Sequence, residues 1–265
     1  MKQLGFTLMV LFFFACGEHE EQRTYKDELG NVQAKGKEVD GKKEGKWEFY
    51  NKDGVLDGID HFKAGVLDGK TMKYYPNGQL ISEGQWEQGR QHGEWKWYYE
   101  DGTLREISNW DLDLQVGKAS TYFENGNPEG EAYFEEGKQN GELKIWYENG
   151  KLEEHSNWTE NMKNGLAITY FENGKEESKG NYEMDMRVGL WQLWNSAGIL
   201  IEESEHANNL YHGKTVFFHS NGQKESEGMF KEDKREGQWT KFDTLGNPID
   251  LSLYAADSLI KAENR

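Results

Sequence analysis

Cysteine is all but missing from this chain. Cys16 is the single one among 265 residues, so no internal disulfide can form and the fold must hold by its own packing. Basic charge is also scarce, with 31 Lys and Arg against 48 Asp and Glu and a net charge of −17. The few basic residues do not cluster, which argues against nucleic acid or an anionic lipid headgroup as partner. Hydrophobic residues reach only 35%, yet 13 Phe, 10 Trp and 13 Tyr are spread among the charges, a composition suited to a thin repetitive sheet rather than a thick-cored globule. Catalytic signatures are absent too: there is no Gly-x-Ser-x-Gly, no phosphate-binding glycine loop, no His-Glu-x-x-His and no cysteine pair. The chain is therefore read as a non-enzyme, and no catalytic residue, cofactor or metal is assigned.

One long apolar run stands out. Lys2 precedes Leu4 to Phe14, which is apolar except for Gly5 and Thr7 and is too short for a stable membrane span. Residues 1–15 are expected to be a signal peptide. Phe13-Phe14-Ala15-Cys16 resembles the bacterial lipoprotein box, which implies lipidation of Cys16 as the first mature residue; the competing reading is an ordinary signal with a coincidental cysteine. Residues 16–23 would be the acylated cysteine and an acidic tether. Gly17 differs from the Asp that holds many lipoproteins at the inner membrane, and Glu18-His19-Glu20-Glu21 resembles the surface-export tether of some lipoproteins. The implied location is the cell envelope, at the outer membrane.

The remainder of the chain is periodic. Tyr74-Tyr75-Pro76-Asn77-Gly78-Gln79-Leu80 returns every 24 residues, as Tyr98 to Leu104, Tyr122 to Pro128, Trp146 to Leu152 and Tyr170 to Glu176, with blurred copies from Tyr50 to Phe242. An aromatic pair running into Asn-Gly or Asp-Gly is a hairpin signature. Glycine recurs in two further rows, one through Gly45 and Gly69, the other through Gly41 and Gly65 and passing to Asp113, Asn161 and Asp185. Two reversals per period give two strands per repeat. The expected fold is all-β, a single-layer antiparallel meander of nine repeats over residues 41–254. A degenerate capping repeat over 24–40 precedes it, and a short helix or frayed cap over 255–265 closes it. The Asn-Gly reversal should be a three-residue type I turn with a bulge, which suits Pro76, and the second reversal a looser Gly-x-x-x-Gly loop.

Carrying the bulged-turn register along the strands pairs Lys96 with Glu106, Lys144 with Glu154, Trp47 with Ile59, Trp95 with Ile107 and Trp97 with Arg105. It places the Tyr50 row, the Phe62 row and a small-residue row (Gly84, Ser108, Ala132, Ser156, Gly180) on one core face. The other face would alternate over 48 residues. Trp47, Phe49, Trp95, Trp97, Trp191, Leu193 and Trp239 in odd repeats form the candidate partner-binding face, or else apolar cover for the sheet or a homodimer contact. Glu106, Glu154, Glu202 and Asp250 make a carboxylate column, read as separate ion pairs rather than a calcium site. His206, His212 and His219 are read as packed or solvated rather than metal ligands.

The phrase Gly69-Lys70-x-x-x-Tyr74-Tyr75-Pro76-Asn77-Gly78-x-Leu80, closing with Glu83-Gly84 and Gly89, resembles the MORN repeat variant family. The resemblance spans roughly residues 41–250. It implies an elongated β array acting as a scaffold or binding module. Many bacterial members carry an antitoxin label, which implies a toxin–antitoxin role as an alternative. Together with the lipoprotein box, the expectation is an envelope-anchored binding module for a protein or glycan, with a structural spacer or homodimer as a further alternative.

Overall fold

Rings and charges in alternation, cut at fixed intervals by Asn-Gly and Asp-Gly, favour strands that keep reversing. The computed structural model describes residues 19–264, and these form 21 strands of one antiparallel sheet. Each strand pairs with its chain neighbour, from β1 (Glu20–Lys26) and β2 (Val32–Val39) through β3 (Lys42–Tyr50) and β4 (Leu56–Lys63). The pattern then repeats in 24-residue steps to β20 (Pro248–Ala255) and β21 (Ser258–Asn264). The signal segment and Cys16 lie outside the described residues. Strand β1 starts at Glu20, so part of the segment expected as a tether already belongs to the sheet.

The C-terminal segment corrects the sequence reading: the described residues 255–264 hold no short helix. Ala256 and Asp257 take positive φ of 46° and 68°, and the chain folds back so that β21 pairs with β20. The same two-residue turn closes every second reversal. At Ala64-Gly65 both residues are left-handed (50° and 86°) while Lys63 pairs with Val66, which is a type I′ turn and not the looser loop expected. The Asn-Gly reversal is as the sequence suggests: Asn51 N–H donates to Val55 O (2.9 Å), Gly54 N–H donates to Asn51 O (3.0 Å), and Gly54 sits at φ 76°.

Beyond the turn the register departs from the expectation by one residue. Tyr50 pairs with Leu56, but Phe49 then pairs with Gly58, so Asp57 is extra and the strand is bulged. Trp47 consequently faces Asp60, Trp95 faces Ser108 and Trp97 faces Glu106, while Lys96 lies opposite Ile107 and Lys144 opposite His155. A one-residue slip turns every later side chain to the other face. The Phe62 row and the small-residue row therefore share a face with Trp47, and the Tyr50 row moves to the opposite one. That opposite face is charged: Tyr50 and Tyr98 hydroxyls donate to Glu48 (2.6 Å) and Glu83 (2.9 Å), beside Lys35–Glu48 and Lys70–Glu83 ion pairs of 3.0 Å each.

A second irregularity shapes the tryptophan face. Gly36 pairs with Trp47 but Lys37 with Glu44, leaving Gly45 and Lys46 as a two-residue bulge with Gly45 at φ 66°. Trp47 lies flat on Gly36 there. A Cβ added to Gly36, Gly84, Gly180 or Gly228 would fall 2.2–2.4 Å from the indole of Trp47, Trp95, Trp191 or Trp239. Gly180→Ala is expected to destabilise the array by about 1–3 kcal/mol in chemical denaturation, since the ring must shift off the backbone. An unchanged midpoint would contradict this contact.

Candidate functional site

Where an indole covers a glycine, its N–H finds the carbonyl that the bulge releases. Trp47, Trp95, Trp191 and Trp239 Nε1 donate to Lys37, Gln85, Asn181 and Met229 carbonyls at 2.9, 3.1, 3.2 and 3.1 Å. Rings of the Phe62 row stand edge-on against three of them, Trp86 at 5.3 Å from Trp95, Tyr182 at 5.0 Å from Trp191 and Phe230 at 5.0 Å from Trp239. Cations close two from above, Lys43 4.8 Å over Trp47 and Arg187 4.4 Å over Trp191. The four indoles are only 0%, 5%, 1% and 7% exposed.

This corrects the candidate face. Trp47, Trp95, Trp191 and Trp239 are core, because the bulge lays them on the neighbouring strand's glycine with their N–H satisfied, and these four rings are not open to a partner. Phe49, Trp97 and Leu193 lie beside them on the same face and stay half-buried, with Trp97 stacked on Trp95 at 5.7 Å. These three are what remains of the expected surface. Even repeats put Thr71, Ala167 and Thr215 in the corresponding slots, all buried.

Small residues of the next row complete the core. Ser108, Ser156 and Ser204 are fully buried, and each bonds the ring two residues on: Trp110 and Trp158 Nε1 donate to serine Oγ at 2.9 Å, and His206 Nε2 lies 2.9 Å from Ser204 Oγ. His206 is thus a core ring. His219 Nε2 meets the Phe242 carbonyl at 3.1 Å, and among the described residues no group of three His, Cys, Asp or Glu side chains is placed to hold a metal ion.

The carboxylate column separates into individual cases. Glu154 pairs with Lys163 (2.7 Å), Glu202 accepts from Tyr211 and Ser204 (2.8 Å each), and Asp250 accepts from Ser252 (2.8 Å). The Glu106 carboxylate has no ion pair or hydrogen bond among the described residues. The lysines expected opposite are elsewhere, Lys96 with Glu94 at 2.6 Å and Lys144 with Glu142 at 2.9 Å. On the charged face, Lys46, then Tyr50 and Lys35, hold the Glu48 carboxyl down at about 2, while burial and Glu83 push the Tyr98 phenol up to about 12.

Seven segments of this array (43–64, 67–88, 91–111, 115–136, 139–160, 163–184 and 211–232) match the MORN repeat variant and together make up more than half of the chain. The chain belongs to the MORN repeat variant family. The MORN match passes over repeats in which Asn195 and Ala197, or Asp243 and Leu245, replace the second aromatic and the turn Asn, although their strands and turns form all the same. No curated protein matches the chain. Solved structures similar to it include TcdB2-TccC3-Cdc42 (13% identity, TM-score 0.22, 90% of this chain and 17% of that one) and TcdB2-TccC3 (13%, 0.16, 90% and 18%). This MORN chain spans less than a fifth of theirs, and a likeness at that level carries no functional argument.

Burial, aided by the Arg187 guanidinium, pushes the His206 imidazole below its ordinary value. A depressed folded value means that the unfolded chain binds more protons in the acid range. The stability contribution is full above the unfolded value of roughly 6.5 and is lost as pH falls through the folded one. His206→Phe, which restores an apolar ring of the row, is expected to show a smaller fall in Tm than wild type between about pH 7.5 and 5. Parallel profiles for the two proteins would contradict this role.

Proposed function

We propose that this MORN array is a non-catalytic binding module, tethered to the bacterial outer membrane through Cys16, that offers its tryptophan face to a protein or glycan partner. The observation that carries the reading is the division of labour on that face. Four indoles are sealed into the sheet, while Phe49, Trp97 and Leu193 stay partly accessible beside them on the same side. Accessible apolar side chains aligned on a stiff support are what a binding surface requires.

Stiffness comes from ladders along both turn edges. Tyr75, Tyr99 and Tyr147 hydroxyls donate to the Tyr98, Tyr122 and Tyr170 carbonyls one repeat on, at 3.0, 2.7 and 2.6 Å. Asn77 and Asn149 amides reach the next turn at Glu100 O (3.1 Å) and Glu172 O (3.2 Å). On the opposite edge Asp113 and Asn161 Oδ1 accept from Gln91 N–H (2.8 Å) and Gln139 N–H (2.7 Å). The membrane tether is supported by the lipoprotein box alone.

Fractionation tests the tether. Full-length protein should sediment with membranes, and Cys16→Ala should move to the soluble fraction; a variant that stays with the membranes contradicts the anchor. For the face, cells expressing Trp97→Ser should lose partners that photo-crosslink to wild type, at unchanged circular dichroism. Retention of every partner would contradict the assignment.

A further inference from the structure

We propose that the middle of the array holds a recognition site, the recess around Leu143, which takes an apolar side chain of a partner protein flanked by lysine or arginine. This rests on reading the array as a binding module and names the chemistry that one part of it selects.

The recess arises where the repeat breaks its own rule. At 48-residue spacing, the pairs Trp47 on Gly36, Trp95 on Gly84, Trp191 on Gly180 and Trp239 on Gly228 each close the sheet surface with an indole. The remaining member, third of the five along the chain, is Leu143 opposite Ala132. Both partners have changed together. An indole cannot lie on Ala132, because in the sealed units even the position of a Cβ falls 2.2–2.4 Å from the ring. Leucine lacks the flat area to roof the gap, and Leu143 is half-buried where its tryptophan counterparts are buried. An open recess of about 410 Å³ results, bordered by Ala119, Ala132, Phe134, Leu143 and Ile145. That volume falls within the roughly 300–1,000 Å³ typical of ligand sites.

The rim fixes the sign of the guest. Glu106 and Glu129 border the recess, both half-buried, and neither carboxylate has an ion pair or hydrogen bond among the described residues. The contrast with the next member of the column is direct. Glu154 meets Lys163 at 2.7 Å, but the residue in the corresponding place for Glu106 is the uncharged Gln115. A lysine or arginine entering with the apolar side chain would supply the cation that Lys163 supplies to Glu154. The net charge of −17 steers the same partners and repels acidic ones.

The test uses the full chain and two labelled peptides, each with a central leucine, one flanked by lysines and the other by glutamates. The lysine peptide should bind in fluorescence anisotropy and the glutamate peptide should not. Combined Glu106→Gln and Glu129→Gln should weaken the lysine peptide by about 3–10-fold. Leu143→Trp with Ala132→Gly, which recreates the sealed unit, should reduce its binding to the level of the glutamate peptide while leaving Tm at or above wild type. Equal binding of both peptides, or undiminished affinity in the sealed variant, overturns the site. Should the sealed variant fail to fold, the glutamine variant decides: an affinity equal to wild type overturns the proposal. A native crosslinked partner that survives sealing also overturns this site yet leaves the binding module standing, whereas wild type that crosslinks to nothing overturns the module itself.

Discussion

An indole laid on a glycine is the contact on which this sheet depends. A single layer has no second layer to bury its rings, so the rings must be buried against backbone. That requires a neighbour without a Cβ and a backbone acceptor for the indole N–H. Gly36 and its equivalents meet the first requirement. The bulge at Gly45 and its equivalents meets the second, because skipping two residues of one strand leaves a carbonyl of the other without its ladder partner. Glycine at φ 66° lets the strand make that detour without steric penalty. Ring, glycine and bulge thus act as one unit, and removing any of them exposes the others.

Around that unit the array is quasi-one-dimensional. Each hairpin touches its neighbours only, so stability accumulates from identical interfaces rather than from one central core. The turn ladders serve the same end: the hydroxyls of Tyr75, Tyr99 and Tyr147 and the amides of Asn77, Asn125, Asn149, Asn173 and Asn221 are spent on the next heptad's carbonyls. Departures from the repeat are then local by construction. His219 takes the tyrosine's place and still reaches the Phe242 carbonyl, whereas Leu143 with Ala132 alters the surface itself.

The period, the hairpins, the bulged Asn-Gly turn and the family can all be read from residues, because each depends on local chemistry repeated nine times. The faces cannot. Register has to be extrapolated outward from the turn, and one additional residue, Asp57 and its equivalents, reverses every side chain beyond it. No residue type announces that bulge. The tight type I′ turns are hidden similarly, since Ala64, Leu112 and Met184 at positive φ are not turn-forming residues, and the ladder pairing imposes that conformation on them. The consequence for function is direct: tryptophans that look like a binding surface in the sequence are the packing. Phe49, Trp97 and Leu193 lie half-buried beside those tryptophans, on a face they share with the Phe62 row, while Glu106, paired on paper with Lys96, is without a cation. The one usable clue to the central recess is the break in the tryptophan series at Leu143.

Exchange of the indole protons tests this account most directly. In protein labelled with ¹⁵N-tryptophan and transferred to D₂O, the Nε1 signals of Trp47, Trp95, Trp191 and Trp239 are expected to persist with the slow strand amides, long after that of Trp97 has gone. Rapid loss of those four together with Trp97 would mean that the rings do not lie sealed on their glycines, and the assignment of the two faces would fail.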